Sequence, residues 1–199
     1  ELSDIEGVMA LSQRVYPDEA PYTRGQVSGQ INAFREGTFV AVFGGEIVGY
    51  AASTIMREDR VMANHTWDEI TGGGYASLHN ANGDWLYGME VMVHPERRRL
   101  RIGRRLYQAR ERLCIDLGLK GIAFGGRMPG FRRHRKHYPD PQAYLEAART
   151  GQIRDATLNF QMRSGFEPVR VLQRYAPEDR ASGGHAALMV WRNPYYDPS

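Results

Sequence analysis

Apolar residues recur along this chain with two different periods. Ile5, Val8, Met9, Leu11 and Val15 lie three or four apart, which predicts an amphipathic helix over 4–16, opened by Asp4 and stopped by Pro17. A second helix is expected over 23–34, with Gly37 just beyond it. Residues 38–43 and 46–55 read as strands, and Gly44-Gly45 between them is a two-residue hairpin signal. From Arg57 to Asp84 the chain is polar and glycine-rich, with Gly72-Gly73-Gly74, and reads as a long loop containing about one helical turn. Loops of that length are usually functional or disordered, and Trp67, Tyr75, His65 and His79 favour an ordered, functional one. Residues 85–93 form a strand stopped by Pro95. The next element is a helix over 103–117, with Leu106, Ala109, Leu113 and Leu117 on one face and Gly118 as its stop. Further expectations are a short buried strand over 121–124, a helix over 141–149 with Asp140 as cap and Pro141 at its first position, a helix over 157–163 ended by Gly165, and strands over 169–172 and 186–191. Helices and strands mixed in this order predict an α/β (α+β) sheet covered by helices.

Composition leaves that picture intact. The 199 residues are 42% hydrophobic and 25% charged, ordinary globular usage for one domain able to bury a core without staples. Net charge is only +3, yet the basic residues are clustered. Arg97, Arg98, Arg99, Arg101, Arg104 and Arg105 form one group; Arg132, Arg133, Arg135 and Lys136, with His134 and His137, form another. Such clusters suit a polyanionic small molecule or nucleic acid, and the modest net charge with no nucleic-acid motif disfavours the second. The single cysteine, Cys114, allows no intrachain disulfide and reads as a small core hydrophobe, which fits a reducing cytoplasm. No apolar run is long enough to span a membrane, and no metal is expected.

The chemistry concentrates between Leu86 and Leu113. A strand runs into an arginine-rich turn, and a long helix opens near Ile102-Gly103. The first N–H groups of a helix lack intrahelical acceptors and sit at the positive end of its dipole, so a diphosphate fits there. A glycine at 103 permits close approach of a ligand, and flanking guanidinium groups add charge-assisted contacts. The same spacing also describes a solvated basic turn ahead of an amphipathic helix.

The segment resembles the central signature of the GNAT N-acetyltransferase superfamily: a strand, V-x-P, then R/Q-x-x-G-x-G/A opening a helix. Val93-His94-Pro95 and Arg98-Arg99-Leu100-Arg101-Ile102-Gly103 match in place. Arg101 stands where the first signature glycine is usual, and Arg99 where a small residue often follows the leading Arg, so non-glycine residues must make the turn. Element order agrees with the family over almost all of residues 1–199, read as one domain, with the family's opening strand expected before Glu1. The stretches 64–72, 86–93, 125–130 and 158–166 are similar to the GNAT domain fused to a nitrilase-type carbon–nitrogen hydrolase in some bacterial proteins.

The resemblance implies a mixed central sheet splayed between the signature strand and the next parallel strand. It implies acetyl-CoA as the cosubstrate, its pantetheine bonded to the backbone of Val91, Met92 and Val93. By the same resemblance, the pyrophosphate would lie on the N–H groups of Arg98, Arg99, Leu100, Arg101, Ile102, Gly103 and Arg104. In such a family member a small-molecule or peptide amine attacks the thioester directly, and a homodimer is a family-level expectation. Glu90 is then the first candidate for the base that deprotonates the ammonium, against a structural ion pair; His79 and His65 are further candidates, against hydrogen-bonding roles. The Tyr that protonates the leaving thiolate in many relatives is Gln161 here, which cannot donate an acidic proton, and Tyr175 or water would replace it. Asn159 could hydrogen-bond pantetheine or be a polar residue at a helix start. The 125–130 stretch is expected to be a loop ending the parallel strand, where Arg127 orients an acidic group on the acceptor or makes a salt bridge. Trp67, with Tyr75 and Trp85, could line the acceptor site. Three readings compete: an N-acyltransferase, a non-catalytic CoA-binding domain of a hydrolase-linked protein, and a nucleic-acid-binding module.

Overall fold

Local signals set the element boundaries in the computed structural model, which describes residues 1–17 and 20–198. Helix α1 spans Ile5–Val15, with Asp4 at its N-cap position but no capping bond from that side chain. Helix α2 spans Arg24–Ala33 and opens on a capping box, Thr23 accepting from the Gln26 N–H while Gln26 accepts from the Thr23 N–H. Strands β1 (Thr38–Phe43) and β2 (Glu46–Met56) are joined through Gly44 and Gly45 at φ +61° and +81°, the left-handed pair a tight hairpin turn requires.

The expected long loop contains two short helices, α3 (Glu58–Met62) and α4 (Trp67–Thr71). A second capping box, Thr66 with Glu69, opens α4, and left-handed Gly72 closes it. Gln26 and Gln30 of α2 donate to the carbonyls of Gly73 and Gly74, which fixes this segment against α2.

Strand β3 (Trp85–Val93) is succeeded by helix α5 (Ile102–Asp116), strand β4 (Gly121–Arg127) and the short helix α6 (Phe131–His134). Helices α7 (Pro141–Arg149) and α8 (Ala156–Arg163) are capped by Asp140 and Asp155, and strands β5 (Glu167–Leu172) and β6 (Ala186–Arg192) end the fold. The six strands form one mixed sheet in the order β1-β2-β3-β4-β6-β5, with β3 and β4 parallel and all other pairs antiparallel. Alternation along the strands divides the core. Tyr50, Tyr87, Met89, Ala123 and Leu188 face α1 and α2, whereas Leu86, Ile122, Phe124 and Met189 face α5, α7 and α8.

Two expectations are corrected. Gly125-Gly126-Arg127 is not loop but the last part of β4, paired with Leu188, Ala187 and Ala186 of β6. An antiparallel partner keeps β4 extended after its parallel partner has left, and the glycines admit neighbours: a Cβ at 125 would lie 2.3 Å from the Tyr175 ring, and one at 126 would lie 2.4 Å from Gln161 Oε1. The buried face of α5 is Ile102, Leu106, Tyr107, Arg110 and Cys114, while Leu117 is exposed, so the expected leucine stripe is rotated and an arginine lies inside it.

Candidate functional site

The sheet opens where β3 and β4 part. They pair only at Leu86↔Ile122 and Tyr87↔Ala123. On the other side of β3 the register passes from Ser53↔Gly88 to Ala52↔Glu90, which leaves Met89 as the extra residue of a bulge. A bulge bends its strand, and this one carries the rest of β3 away from β4. The wedge so formed is a cleft of about 710 Å³ on the α5 and α8 side. A second cleft, about 1020 Å³, lies toward α1, α2, α4 and the segment between β5 and β6. Tyr16, Met89, Glu90, Gly125 and Arg127 line both, so the two meet at the bulge.

At the open end of the wedge sits the α5 N-terminus. Arg99 and Arg101 have φ of +75° and +60°, the left-handed region that favours glycine, so these arginines take the backbone that small residues usually supply. Arg101 is the N-cap and makes no capping bond, and the first turn carries no acidic residue, which leaves the helix N–H groups uncapped by side chains. Arg98, Arg99, Arg101, Ile102, Gly103 and Arg104 line the cleft. Leu100 is half exposed and does not. A Cβ at Gly103 would meet Phe160 Cζ at 3.5 Å and Val93 Cγ2 at 3.7 Å, ordinary contact distances, so the protein itself does not require glycine there. Val91 and Val93 line the wedge, whereas the Met92 side chain is buried toward α1 and α2, leaving only its backbone for this side.

Glu90 occupies the junction. Its Oε1 accepts from the Tyr16 hydroxyl (2.8 Å) and the Val91 N–H (2.9 Å), and its Oε2 from the Tyr22 hydroxyl (3.2 Å). Burial raises its pKa, opposed by these three hydrogen bonds and by the charge of Arg110. A carboxylate tuned upward, reachable from both clefts, has the character of a general base.

The closed end holds Gln161 and two groups the sequence reading did not single out, Arg110 and Tyr107. Arg110, 1% exposed, donates through Nε to Ser53 Oγ (2.8 Å) and through Nη2 to the carbonyls of Ala52 (3.0 Å) and Glu90 (2.8 Å), pinning both strands at the bulge. The 4-residue spacing Ile102–Leu106–Arg110 was the available signal, because it places the arginine on the inward line of the helix. Gln161 is buried, and among the described residues its Oε1 has no hydrogen-bond partner. Tyr107 packs edge-on against Phe124, Phe160 and Phe166 and lines the same wedge. Burial raises its pKa, while the Arg110 charge and a hydrogen bond from the Gln161 side chain act against the rise. Tyr16 and Tyr22, which orient Glu90, were also missed.

Other sequence candidates fall elsewhere. His79 lines neither cleft: its Nδ1 accepts from the Ile55 N–H (3.2 Å) and its ring stacks on Phe34. Asn159 also lies outside both linings, because the helix turn presents Ala156, Thr157, Phe160 and Gln161 instead. Tyr175 lines the second cleft but its proton is committed inward. His65 Nδ1 faces the Ala63 carbonyl (2.9 Å), which can only accept, so Nδ1 carries the hydrogen. Burial holds the His65 pKa down to about 4, so the ring is neutral and Nε2 accepts from the Tyr87 hydroxyl (2.9 Å). Tyr87 must then accept from Tyr175 (3.0 Å), which leaves Tyr175 an acceptor toward the cleft rather than an acid. Trp67 lines the second cleft, with Nε1 donating to the Met89 carbonyl (3.2 Å). Arg127 makes a two-point ion pair with Asp179 (2.7 and 2.8 Å), the salt-bridge reading of that residue. No helix among the described residues is long and apolar enough to cross a membrane.

This geometry agrees with what the chain is similar to. Residues 5–137 match the model of the acetyltransferase (GNAT) family. The chain is 30% identical over 198 residues to the uncharacterized N-acetyltransferase YkwB of Bacillus subtilis (strain 168), covering 98% of this chain and 87% of that protein. It is 39% identical over 198 residues to the probable hydrolase YhcX of the same organism, covering all of this chain but only 38% of that longer relative. Solved structures share the fold. The GphF GNAT-like decarboxylase in complex with isobutyryl-CoA superposes at a TM-score of 0.80 with 20% identity over 97% of this chain and 96% of that one. The loading GNATL domain of CurA from Lyngbya majuscula superposes at 0.82 with 18% identity over 97% and 94%. An aminoglycoside 6'-N-acetyltransferase complexed with coenzyme A superposes at 0.60 with 16% identity over 95% and 90%. With its bulged and splayed sheet, its arginine-rich helix N-terminus and a family match over two thirds of its length, this chain belongs to the GNAT acetyltransferase family.

Proposed function

We propose that the chain transfers an acyl group from an acyl-CoA, acetyl-CoA in the simplest case, to a primary amine by direct attack. The observation that carries this reading is the position of Glu90, a carboxylate at the one stretch of wall that both clefts share. The wedge on the α5 side takes the thioester, with diphosphate at the N–H groups of Ile102, Gly103 and Arg104 and among Arg98, Arg99 and Arg101, and with pantetheine along Val91–Val93. The second cleft takes the amine against Tyr22, Trp67 and the Tyr175 oxygen.

In this reading Glu90, held by Tyr16 and Tyr22, removes the ammonium proton, directly or through a water. The freed amine attacks the thioester carbon across the bulge; the C–N bond forms, the C–S bond breaks, and the sulfur leaves as thiolate. Gln161 can hydrogen-bond that sulfur but has no acidic proton to give. Tyr107, beside the Gln161 carboxamide in the same wedge, supplies the proton. Arg127, paired with Asp179, shapes the wall between the clefts. The length of the relative named a probable hydrolase supports a setting in which this domain is joined to a hydrolase.

Titration calorimetry with CoA and a thiol-release assay over a panel of amines test the reading. Binding, with thiol release that E90Q lowers by roughly 10²–10⁴-fold while sparing CoA affinity, supports it. The Gln161 substitution favours a second reading, a CoA-binding domain without turnover, which binding without thiol release from any amine would establish.

A further inference from the structure

The closed end of the wedge is a buried cation. The wedge is open at Val93 and the α5 N-terminus and closes at Gly88 and Phe124, just past the last paired residues Tyr87↔Ala123. A CoA thioester anchored by its diphosphate at the open end therefore points its acyl group toward the closed end. Arg110 lies eight residues beyond Ile102, about 12 Å along the helix at ~1.5 Å per residue, and its guanidinium stands at that end. Nε and Nη2 are bound to Ser53, Ala52 and Glu90, which fixes the plane of the fork. Among the described residues Nη1 donates to no protein acceptor, and no carboxylate forms a salt bridge with the group. Nη1 lies against the glycine at 88: a Cβ there would be 2.7 Å from it and 3.3 Å from Phe124 Cβ.

Two titratable groups act on this end, and neither forms an ion pair with Arg110. Glu90 hydrogen-bonds Arg110 only through its backbone carbonyl; its carboxylate is turned to Tyr16, Tyr22 and the Val91 N–H and acts on the guanidinium through charge alone, without a salt bridge. Tyr107, whose ring centroid is 6.0 Å from the guanidinium carbon, is held neutral by burial. A buried charge without a salt-bridge partner is unfavourable, and a guanidinium with one nitrogen bound to no protein acceptor, beside a cleft, is built to receive an oxyanion.

We propose that Arg110 binds a carboxylate at the far end of the donor acyl group, so that the chain prefers CoA thioesters of dicarboxylic acids to acetyl-CoA. The proposal rests on the reading of the wedge as an acyl-CoA site and adds the identity of the acyl class. Gly88 supports it, since any larger residue would press on Nη1, its Cβ lying 2.7 Å from that nitrogen. Pinning the bulge and receiving the acyl carboxylate use different nitrogens of the same group, so the two roles coexist.

The test is titration calorimetry of the chain with CoA, acetyl-CoA, malonyl-CoA and succinyl-CoA. A charge-assisted hydrogen bond made in a buried site predicts that one of the two carboxylated thioesters binds on the order of ten- to a hundredfold tighter than acetyl-CoA. R110M is expected to abolish that preference, read as the ratio of the affinities for carboxylated thioester and for CoA on the same variant, so that any loss common to all CoA species from the unpinned bulge divides out. G88A, which retains Arg110 but presses on Nη1, is expected to lower the preference as well and serves if R110M does not fold. Equal affinity of the wild-type chain for acetyl-CoA and both carboxylated thioesters would overturn the proposal and leave the acyl-CoA reading standing. Failure to bind any CoA species would overturn both.

Discussion

Gly103 separates a ligand's requirement from the protein's. It is the second residue of α5, where glycine costs ~0.5–1 kcal/mol relative to alanine through the extra freedom of its unfolded chain. The nearest atoms to a Cβ there, Phe160 Cζ at 3.5 Å and Val93 Cγ2 at 3.7 Å, are at contact rather than clash distance. G103A should therefore stabilise the free chain by about 0.5–1 kcal/mol, a rise of roughly 1–4 °C in Tm for a domain of this size. The added methyl stands at the helix terminus where the diphosphate is proposed to approach, and crowding of that kind costs ~1–3 kcal/mol, or about five- to 150-fold in CoA affinity. Thermal melts with and without CoA read both effects. At a concentration ~100 times its Kd, CoA stabilises the wild type by ~2.7 kcal/mol, roughly 5–11 °C. With tenfold weaker affinity the same concentration gives G103A only about 1.4 kcal/mol, so the variant starts higher and gains less. A variant that melts higher and still gains the full shift would move the diphosphate away from this terminus.

The same geometry makes three further outcomes testable. Because burial raises the pKa of Glu90, the acid limb of kcat/KM should titrate above the ordinary carboxylate range; E90Q should lower turnover by roughly 10²–10⁴-fold and remove that limb, and an unchanged limb would assign it to another group. Arg101 holds φ +60°, so R101G should relieve ~1 kcal/mol of backbone strain while removing a cation from the cleft. Urea unfolding should show the gain and calorimetry a weaker, less salt-dependent CoA affinity; a destabilised variant would contradict the assigned backbone. His65, with its folded pKa held to about 4 against ~6.5 when unfolded, binds its proton later in the fold than in the unfolded chain. Its contribution is intact above pH ~6.5 and is lost as pH falls toward 4, up to ~3 kcal/mol in all, with His79 and His185 shifted the same way. H65Q should flatten the fall in stability between pH 6.5 and 4 in urea titrations, and an unaltered slope would mean that His65 is not buried neutral.

Features written in consecutive residues were legible in the sequence. Trp85–Val93 reads as a strand because apolar residues run nearly unbroken toward Pro95, and α7 reads from Asp140-Pro141, whose side chain and ring set the first turn without help from elsewhere. The Gly44-Gly45 hairpin is similarly local. The candidate site was legible as far as the signature turn, including its departure: both arginines noted in glycine-like places, Arg99 and Arg101, take positive φ. What was not legible depends on pairing at a distance. The end of β4 reads as loop, because Gly125-Gly126 is weak strand sequence until β6, about sixty residues later, supplies its ladder. Tyr16 and Tyr22 carry no mark that ties them to Glu90, from which they are 74 and 68 residues away. Arg110 was passed over because arginine scores as a solvent residue, and only the bulge carbonyls across the sheet give it a reason to be inside.

Those carbonyls connect fold and site. Parting two strands strips backbone groups of their partners, and buried groups must find others or cost stability. At the bulge the substitutes are side chains from separate elements: Trp67 Nε1 for the Met89 carbonyl, Arg110 Nη2 for that of Glu90, and the Glu90 carboxylate for the Val91 N–H. Each of these side chains also lines one or both clefts. The residues that let the sheet open are thus the ones a ligand in the opening meets, which gives a physical reason for a base, a buried cation and an indole to converge on one irregular residue of one strand. It also means that their truncation should disturb the splay and the chemistry together. Isosteric changes such as E90Q, which leaves an oxygen facing the Val91 N–H, are therefore the ones that can separate a residue's chemical part from its part in holding the strands apart.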